Sequence, residues 1–291
     1  MAADGSVFPE SCADFASGER CARLHFASSP AGRTFLRRQH VAYPFHICRP
    51  FMVEGDPDGM ASLYLQSCAG GIYENDRLHL DISADADSRV HVTTQASTIV
   101  HTMAGDSARL ETTLRVGANA WLEMISDPLI LFSGSSLSSD VHLSIDPTGL
   151  AVLVDSFLLH DPQGTERPFS RFVSDTSIDV DGRGCVVRDR YSVTGAVVSE
   201  RIPGITGRYR VQGTFLAVAP DGRLAPFERD LRQVLADARG IYAGVSQLPG
   251  SAGLWCRVLA DDAVALRAAL NGLWSILREK LAGRRPRPRR K

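Results

Sequence analysis

Two side chains that bind transition metals stand two positions apart, the imidazole of His46 and the thiol of Cys48. Alternate residues of a β-strand point to the same face, so this spacing is compatible with a two-ligand metal site. The alternative is an accidental pair. Three other histidines, His79, His91 and His101, fall at alternating or strand-end positions, and we expect them to be ordinary surface residues.

The cysteines are too scattered for a structural metal site. The sequence contains six and no Cys-x-x-Cys, which argues against a zinc ribbon and a thioredoxin-type centre. In a reducing compartment such residues are expected to be free thiols. They are Cys12, Cys21, Cys48, Cys68, Cys185 and Cys256.

Several common catalytic motifs are missing from the sequence. There is no Gly-Lys pair for a phosphate-binding loop, no His-Glu pair for a zinc protease and no Gly-x-Ser-x-Gly. Gly182-Arg183-Gly184 begins like a dinucleotide-binding loop, but Val187 replaces the required third glycine, so we interpret it as a turn between strands. No motif therefore predicts nucleotide hydrolysis.

Composition narrows the classes of function further. The chain has 291 residues, 32 basic and 33 acidic, and 44% of its residues are hydrophobic. The near-zero charge argues against a nucleic-acid-binding protein, and no apolar run reaches the roughly 18 residues of a membrane helix. The first ten residues lack the basic flank and apolar core of a secretory signal, so a cytoplasmic location is expected.

Hydrophobic periodicity predicts a chain built mainly of strands. We expect a flexible lead over residues 1–20 and a β-rich body over residues 21–225, where apolar and polar residues alternate between turns such as Asp146-Pro147-Thr148-Gly149. Strands at this spacing without intervening helices favour layered antiparallel or mixed sheets.

The pattern changes to helical spacing near Pro226. Residues 226–283 are predicted to form a small C-terminal α/β element with two helices. The second runs from about Asp262 to Leu281; Asp261 or Asp262 can cap its start, and Gly283 can end it. Trp274 lies on the apolar stripe of that helix and is interpreted as core packing. Residues 284–291 form a basic tail, interpreted as a solvated end.

One series of segments is distinctive by its order. It runs from Arg49-Pro50-Phe51 through Gly70-Gly71-Ile72 and Asp76 to Thr93-Thr94-Gln95-Ala96. The glycine pair allows a tight turn that places Asp76 before the next strand.

This order resembles the UreD (also called UreH) family of urease accessory proteins. The likeness continues through Ile130-Leu131-Phe132-Ser133-Gly134 and the segment around Asp155 to Leu273-Trp274-Ser275, and so covers roughly residues 21–283. The resemblance implies a largely β, helical-layered fold with a small helical element. It also implies a non-catalytic scaffold that binds UreF and, through it, the GTPase UreG, docks on apo-urease and helps install nickel, with an internal tunnel carrying the ion.

A conduit for Ni²⁺ must be polar without holding the ion tightly. A closed cage of imidazoles or thiolates would trap nickel, whereas isolated carboxylates, hydroxyls and carbonyls exchange it quickly. The family-like segments offer such oxygen donors, and the resemblance suggests a transient nickel path with no tightly bound cofactor. The candidate residues are Asp76, Ser97, Asp155, Glu166 and Asp189.

Other interpretations remain open at this point. Asp76 can equally cap a turn, and Asp155, inside an apolar run, can equally make a structural hydrogen bond. Two other classes of function compete with the scaffold: a metal-dependent hydrolase on a β framework, for which no three-ligand spacing is visible, and a binding module without a metal role. We expect protein partners, no nucleic acid and no membrane.

Overall fold

The structure, a computed structural model, describes residues 20–162, 164 and 167–287. The predicted lead, apart from its last residue, and the last four residues of the basic tail lie outside the described part, as does the candidate Glu166. The strands of the described part are β1 (Arg20–Ser28), β2 (Thr34–Val41), β3 (Phe45–Ile47), β4 (Ala61–Ser67), β5 (Arg77–Ala84), β6 (Arg89–Thr94), β7 (Thr98–Val100), β8 (Ala108–Val116), β9 (Trp121–Ile125), β10 (Leu129–Phe132), β11 (Ser136–Ile145), β12 (Leu150–His160), β13 (Arg171–Val180), β14 (Gly184–Val193), β15 (Val211–Val218), β16 (Ile241–Gln247) and β17 (Gly253–Ala260). The helices are α1 (Gly195–Ser199), α2 (Glu228–Asp237) and α3 (Ala263–Ala282), with short 3₁₀ turns at Ala225–Phe227 and Pro249–Ser251.

These strands form two facing sheets. The seven-stranded sheet has the order β14-β13-β11-β8-β5-β1-β2. The ten-stranded sheet has the order β16-β17-β15-β12-β9-β6-β4-β3, and β10 pairs with both β12 and β7 beside that path. The predicted fold class, mainly β with layered, β-helix-like mixed sheets and helices near the C-terminus, is confirmed.

The central strands pair in parallel, so of the two predicted arrangements, antiparallel or mixed, the sheets are mixed. From β4 to β6, β9 and β12 in one sheet, and from β1 to β5, β8, β11 and β13 in the other, neighbouring strands are parallel. Parallel neighbours normally need a crossover helix. In this chain a strand of the opposite sheet connects two parallel neighbours in place of a helix. The chain therefore forms a solenoid, and each of its coils crosses from one sheet to the other and back.

Successive residues along a strand point to opposite faces of the sheet, and this alternation produces two apolar layers. One face of each sheet points to the space between the sheets, where Leu24, Ile82 and Leu122 are almost fully buried. Along β15, Leu216 faces that space while its neighbour Phe215 faces the other way. Phe215 packs in a second core between the ten-stranded sheet and helices α2 and α3, together with Leu273.

The two predicted C-terminal helices are confirmed. Helix α3 begins at Asp262, whose Oδ1 accepts a hydrogen bond of 2.8 Å from the backbone N–H of Ala265, and it ends at Gly283 with a φ of 71°. Strands β16 and β17 extend the ten-stranded sheet next to β15, so the helices lie against the outer face of a sheet that the body also uses. The short helix α1, capped by Thr194, is an element that the sequence did not predict.

Candidate functional site

A cavity of about 370 Å³ lies between the two sheets and crosses the strands of both. It reaches from Phe45 and Leu65, near one edge of the sandwich, to Thr214 on β15 and Asp189 on β14, near the other edge. Because the axis of a solenoid is perpendicular to its strands, the cavity runs along that axis, and each coil contributes side chains to its wall.

The first end of the cavity opens to solvent. Ser67, Gly70 and Gln95 line it and are exposed on the surface. The predicted tight turn at the glycine pair is present here: Gly71 has a φ of 146°, and a Cβ at this position would lie 2.3 Å from the carbonyl oxygen of Ile99. Only glycine fits so close an approach of two backbones. Ser97, one of the candidate residues, lines the same end.

The polar part of the wall consists of oxygen donors held in strand register. Ser139 on β11 pairs with Ser174 on β13, Thr176 on β13 with Asp189, and Asp155 with Thr214 on β15. Parallel and antiparallel pairing place these side chains on the inward faces of adjacent strands. Among the lining residues there is no histidine, cysteine, lysine, arginine or glutamate, counted over the described part of the chain.

Asp155 is the ionisable group deepest in this wall. Its side chain keeps some accessible surface only because it faces the cavity. Burial raises the pKa of Asp155 to about 6, against a backbone hydrogen bond from Ser156 and the charge of Arg257, both of which lower it. The structure therefore places here a carboxylate whose negative charge is poorly compensated and which can be stabilised by a cation in the cavity.

An ion pair links the two sheets at the second end of the cavity. Arg257 on β17 donates a hydrogen bond of 2.7 Å to Asp189 on β14. The guanidinium carbon of Arg257 also lies 4.7 Å from the ring centroid of Tyr191 and 4.5 Å from that of Trp255. The pair and its two aromatic neighbours lie at this end, so Asp189 is compensated where Asp155 is not.

Asp76 lies elsewhere and works as a turn residue. Its Oδ2 accepts a hydrogen bond of 2.8 Å from the backbone N–H of Tyr73, and its Oδ1 pairs with Arg20. The side chain is buried but is not part of the cavity wall. Ser97, Asp155 and Asp189 are thus brought together along one cavity, while the geometry of Asp76 matches the turn-capping alternative.

The His46–Cys48 pair lies on the surface near the open end. The Nδ1 of His46 is 2.7 Å from the Oε1 of Gln66, and the thiol of Cys48 is 3.8 Å from the same oxygen. Within the described residues, no group of three or more His, Cys, Asp and Glu side chains is arranged to hold a metal ion.

A buried ionic cluster beneath helix α3 was missed by sequence reasoning. The carboxylate of Glu123 on β9 accepts hydrogen bonds from Trp274 at 3.0 Å and from Arg278 at 2.8 and 2.9 Å, and it lies 2.8 Å from the Nδ1 of His91. Burial by itself would raise the pKa of Glu123, but the charge of Arg278 and the hydrogen bond of His91 lower it to about 2. Arg278 also pairs with Asp56, which ties the loop after β3 to the helix.

The expectation of a surface position for His91 is therefore wrong, because helix α3 covers its face of the sheet and leaves it only 5% exposed. One signal was available: Arg278 follows Trp274 by four residues and so lies on the apolar stripe of the helix, where an unpaired charge would be unfavourable. Trp274 does pack in the core as predicted, and its indole N–H has this additional partner.

None of the described helices has the length and apolar content that crossing a membrane requires.

Comparison with known proteins places the chain among related sequences over almost its whole length. A profile of the family described as "UreD urease accessory protein" matches residues 19–291. A protein of Pseudomonas syringae pv. syringae named "Urease accessory protein UreD 1" is 38% identical over 276 residues, which cover 95% of this chain and 97% of that protein. A protein of Methylorubrum extorquens with the same name is 43% identical over 262 residues, with 89% and 87% covered. One from the more distant Haloarcula marismortui, named "Urease accessory protein UreD", is 30% identical over 253 residues, with 86% and 83% covered.

Proposed function

The chain belongs to the UreD family of urease accessory proteins, and from this premise we propose that it is a non-catalytic scaffold that helps deliver nickel to apo-urease. In this proposal it works in the cytoplasm, bridges UreF-like and UreG-like accessory proteins to urease, and lets nickel pass through the cavity between its sheets. Nickel is the cargo and is not a resident cofactor.

The observation that carries the proposal is the chemistry of the cavity wall. Its polar atoms are carboxylate, hydroxyl, amide and carbonyl groups, with no imidazole or thiol among the described lining residues. Nickel binds nitrogen and sulfur ligands strongly and isolated oxygen ligands weakly. An ion can therefore enter this wall, lose part of its water shell to the oxygens and leave again, which is what conduction requires.

The position of Asp155 gives the proposed passage a carboxylate that attracts cations. The cavity leads from the exposed end at Ser97 inward to Asp155, and Asp189, another carboxylate of the wall, is already paired with Arg257. A divalent cation at Asp155 would offset the unfavourable burial of its charge. Hydroxyls of Ser174 and Thr214 line the same cavity and can share the ion.

The test replaces Asp155 by asparagine, which keeps the shape of the side chain and removes its charge. We expect the Asp155→Asn chain to assemble with UreF-like, UreG-like and urease proteins as the wild type does, because the residue is interior. We expect the urease recovered from that complex to contain less nickel and to be less active. Assembly is measured by co-purification, and nickel by elemental analysis of the isolated urease.

Asp175→Asn is the matched control. Asp175 lies on β13 of the facing, seven-stranded sheet, on its outer face and paired with Arg188 at 2.7 Å, so its loss should leave nickel content unchanged. Full activation of urease by Asp155→Asn would contradict the passage of nickel through the cavity. If activation instead followed only the ability to bind UreF-like partners, the chain would be a binding module without a metal role.

A further inference from the structure

His46 and Cys48 converge on one point of the surface. Phe45 and Ile47 pack against the core on the opposite face of β3, which fixes the outward direction of His46. Both the imidazole nitrogen and the thiol sulfur lie within 3.8 Å of one oxygen, the Oε1 of Gln66. His46 and Cys48 are exposed, so an ion from solvent or from a partner protein can reach them.

Gln66 connects this pair to the open end of the cavity. It is the direct cross-strand neighbour of His46 in the pairing of β3 with β4. Its Nε2 donates a hydrogen bond of 2.7 Å to the Oε1 of Gln95, and both glutamines line the cavity. The metal-binding pair and the oxygen-lined wall therefore share a side chain.

We propose that His46 and Cys48, with the amide oxygen of Gln66 beside them, form a capture site for a divalent transition-metal ion at the mouth of the cavity. The inference rests on the proposed function, because the cavity is what receives the captured ion. Nitrogen and sulfur donors select such ions over Mg²⁺ and Ca²⁺, which the oxygen wall alone would not do. On binding, the Cys48 sulfur forms the bond to the metal and its proton passes to solvent.

Two protein ligands make the site exchangeable. A closed site with four ligands retains its metal, whereas this one leaves the remaining coordination positions to water or to side chains of a delivering partner. The ion can then be passed from a partner to the pair, and from the pair to the weaker oxygen donors behind Gln66. The pair raises the local concentration of the ion at an entrance whose own ligands bind weakly.

The direct test uses the purified full chain and Co²⁺ or Ni²⁺ alone as probe. We expect a thiolate-to-metal charge-transfer absorption that titrates with the metal and disappears in Cys48→Ser, with affinity lowered on the order of tenfold in His46→Ala. Cys185→Ser and His142→Ala are the matched controls, since both residues are exposed and lie on β14 and β11 of the other sheet. Cys68→Ser tests the other exposed thiol of this region. An absorption that survives in Cys48→Ser would overturn the proposal.

A second measurement distinguishes capture of nickel at His46 and Cys48 from its passage along the cavity. Urease activation by the complex is measured at limiting and at saturating nickel. The His46→Ala and Cys48→Ser chains should fail only at limiting nickel, because saturating nickel replaces capture, whereas Asp155→Asn should fail at both. Equal activation by the wild type and the capture variants at limiting nickel would overturn the capture role. Loss of the absorption in Cys48→Ser together with normal activation by Asp155→Asn would leave the capture site standing and refute the passage.

Discussion

Two carboxylates on adjacent strands of the ten-stranded sheet have opposite environments. Glu123 on β9 lies on the outer face under helix α3, where His91, Trp274 and Arg278 donate to it, and its pKa is lowered to about 2. Asp155 on β12 lies on the inner face, where burial raises its pKa to about 6. The same sheet therefore compensates one acid fully and leaves the other without a cation in direct contact.

The difference separates a structural site from a site available to a ligand. A buried ion pair whose hydrogen bonds are satisfied fixes two elements in one arrangement. A buried carboxylate without such partners has lone pairs free to bind a passing cation, and it lowers the stability of the empty protein. Glu123 therefore holds helix α3 on the sheet, and Asp155 is the residue to which the proposed function gives the cargo.

Breaking the structural site should produce the largest effect. Arg278→Met leaves Glu123 buried without its counter-charge, which typically destabilises a protein by about 3–5 kcal/mol. Urea-induced unfolding measures the change. Arg267→Met, on an exposed face of the same helix, is the control and should shift stability by less than about 0.5 kcal/mol. The double variant Glu123→Met with Arg278→Met should recover much of the loss, and a single Arg278→Met variant as stable as the control would show that the pair does not hold the helix.

Neutralising Asp155 should have a smaller effect of the opposite sign. The folded chain binds the Asp155 proton more tightly than the unfolded chain does, with a pKa of about 6 against 3.8. This residue therefore makes stability fall as pH rises from about 4 to about 6, and the loss persists above that range. Asp155→Asn should be more stable than the wild type by about 3 kcal/mol at pH 7.5, and the advantage should vanish near pH 4.

Thermal unfolding of the metal-free chain across this pH range measures the difference. A variant less stable than the wild type at pH 7.5 would mean that the charge of Asp155 is compensated in the folded protein, and the contrast with Glu123 would not hold.

Replacing Arg257, the partner of Asp189, should change the stability of the protein least. It tests whether a carboxylate without a counter-charge binds the ion. Arg257 and Asp189 have side chains 30% and 28% exposed, so their ion pair contributes at most about 1 kcal/mol. Arg257→Gln should unfold at nearly the same urea concentration as the wild type. It should nevertheless retain more nickel in equilibrium dialysis, because the cavity then has a second uncompensated carboxylate. Unchanged nickel retention would show that Asp189 does not contact the ion.

Local sequence patterns predicted the helices and strands better than they predicted which residues pair between them. The stripe and caps of helix α3 are encoded within residues 262–283, and both caps are where the sequence places them. The pairing of Glu123 with Arg278 joins residues 155 positions apart, and no local periodicity contains it. Local patterns left antiparallel and mixed sheets open for the same reason, since short strands and turns look alike whether the next strand returns beside its predecessor or enters the opposite sheet.

Local sequence patterns have the same limit for the residues of the candidate site. Asp76 and Asp155 are both acids in family-like segments, and their residue type does not tell them apart. They differ because Arg20, 56 positions earlier, pairs with Asp76, whereas the strands around Asp155 bring hydroxyls to its face. His46 and Cys48 could be recognised from their spacing, but their proximity to the cavity depends on Gln66 on β4 and on Gln95, which follows β6.

The coiled path of the chain makes the length of the passage independent of its chemistry. Neighbouring strands in a sheet are spaced by about 4.8 Å, so one inserted coil would lengthen the passage by that distance, and one deleted coil would shorten it equally. A substitution at one inward position changes what the wall binds without altering that length. Evolution or design can therefore adjust the length of the cavity by whole coils while keeping each lining group, and can change one lining group while keeping that length.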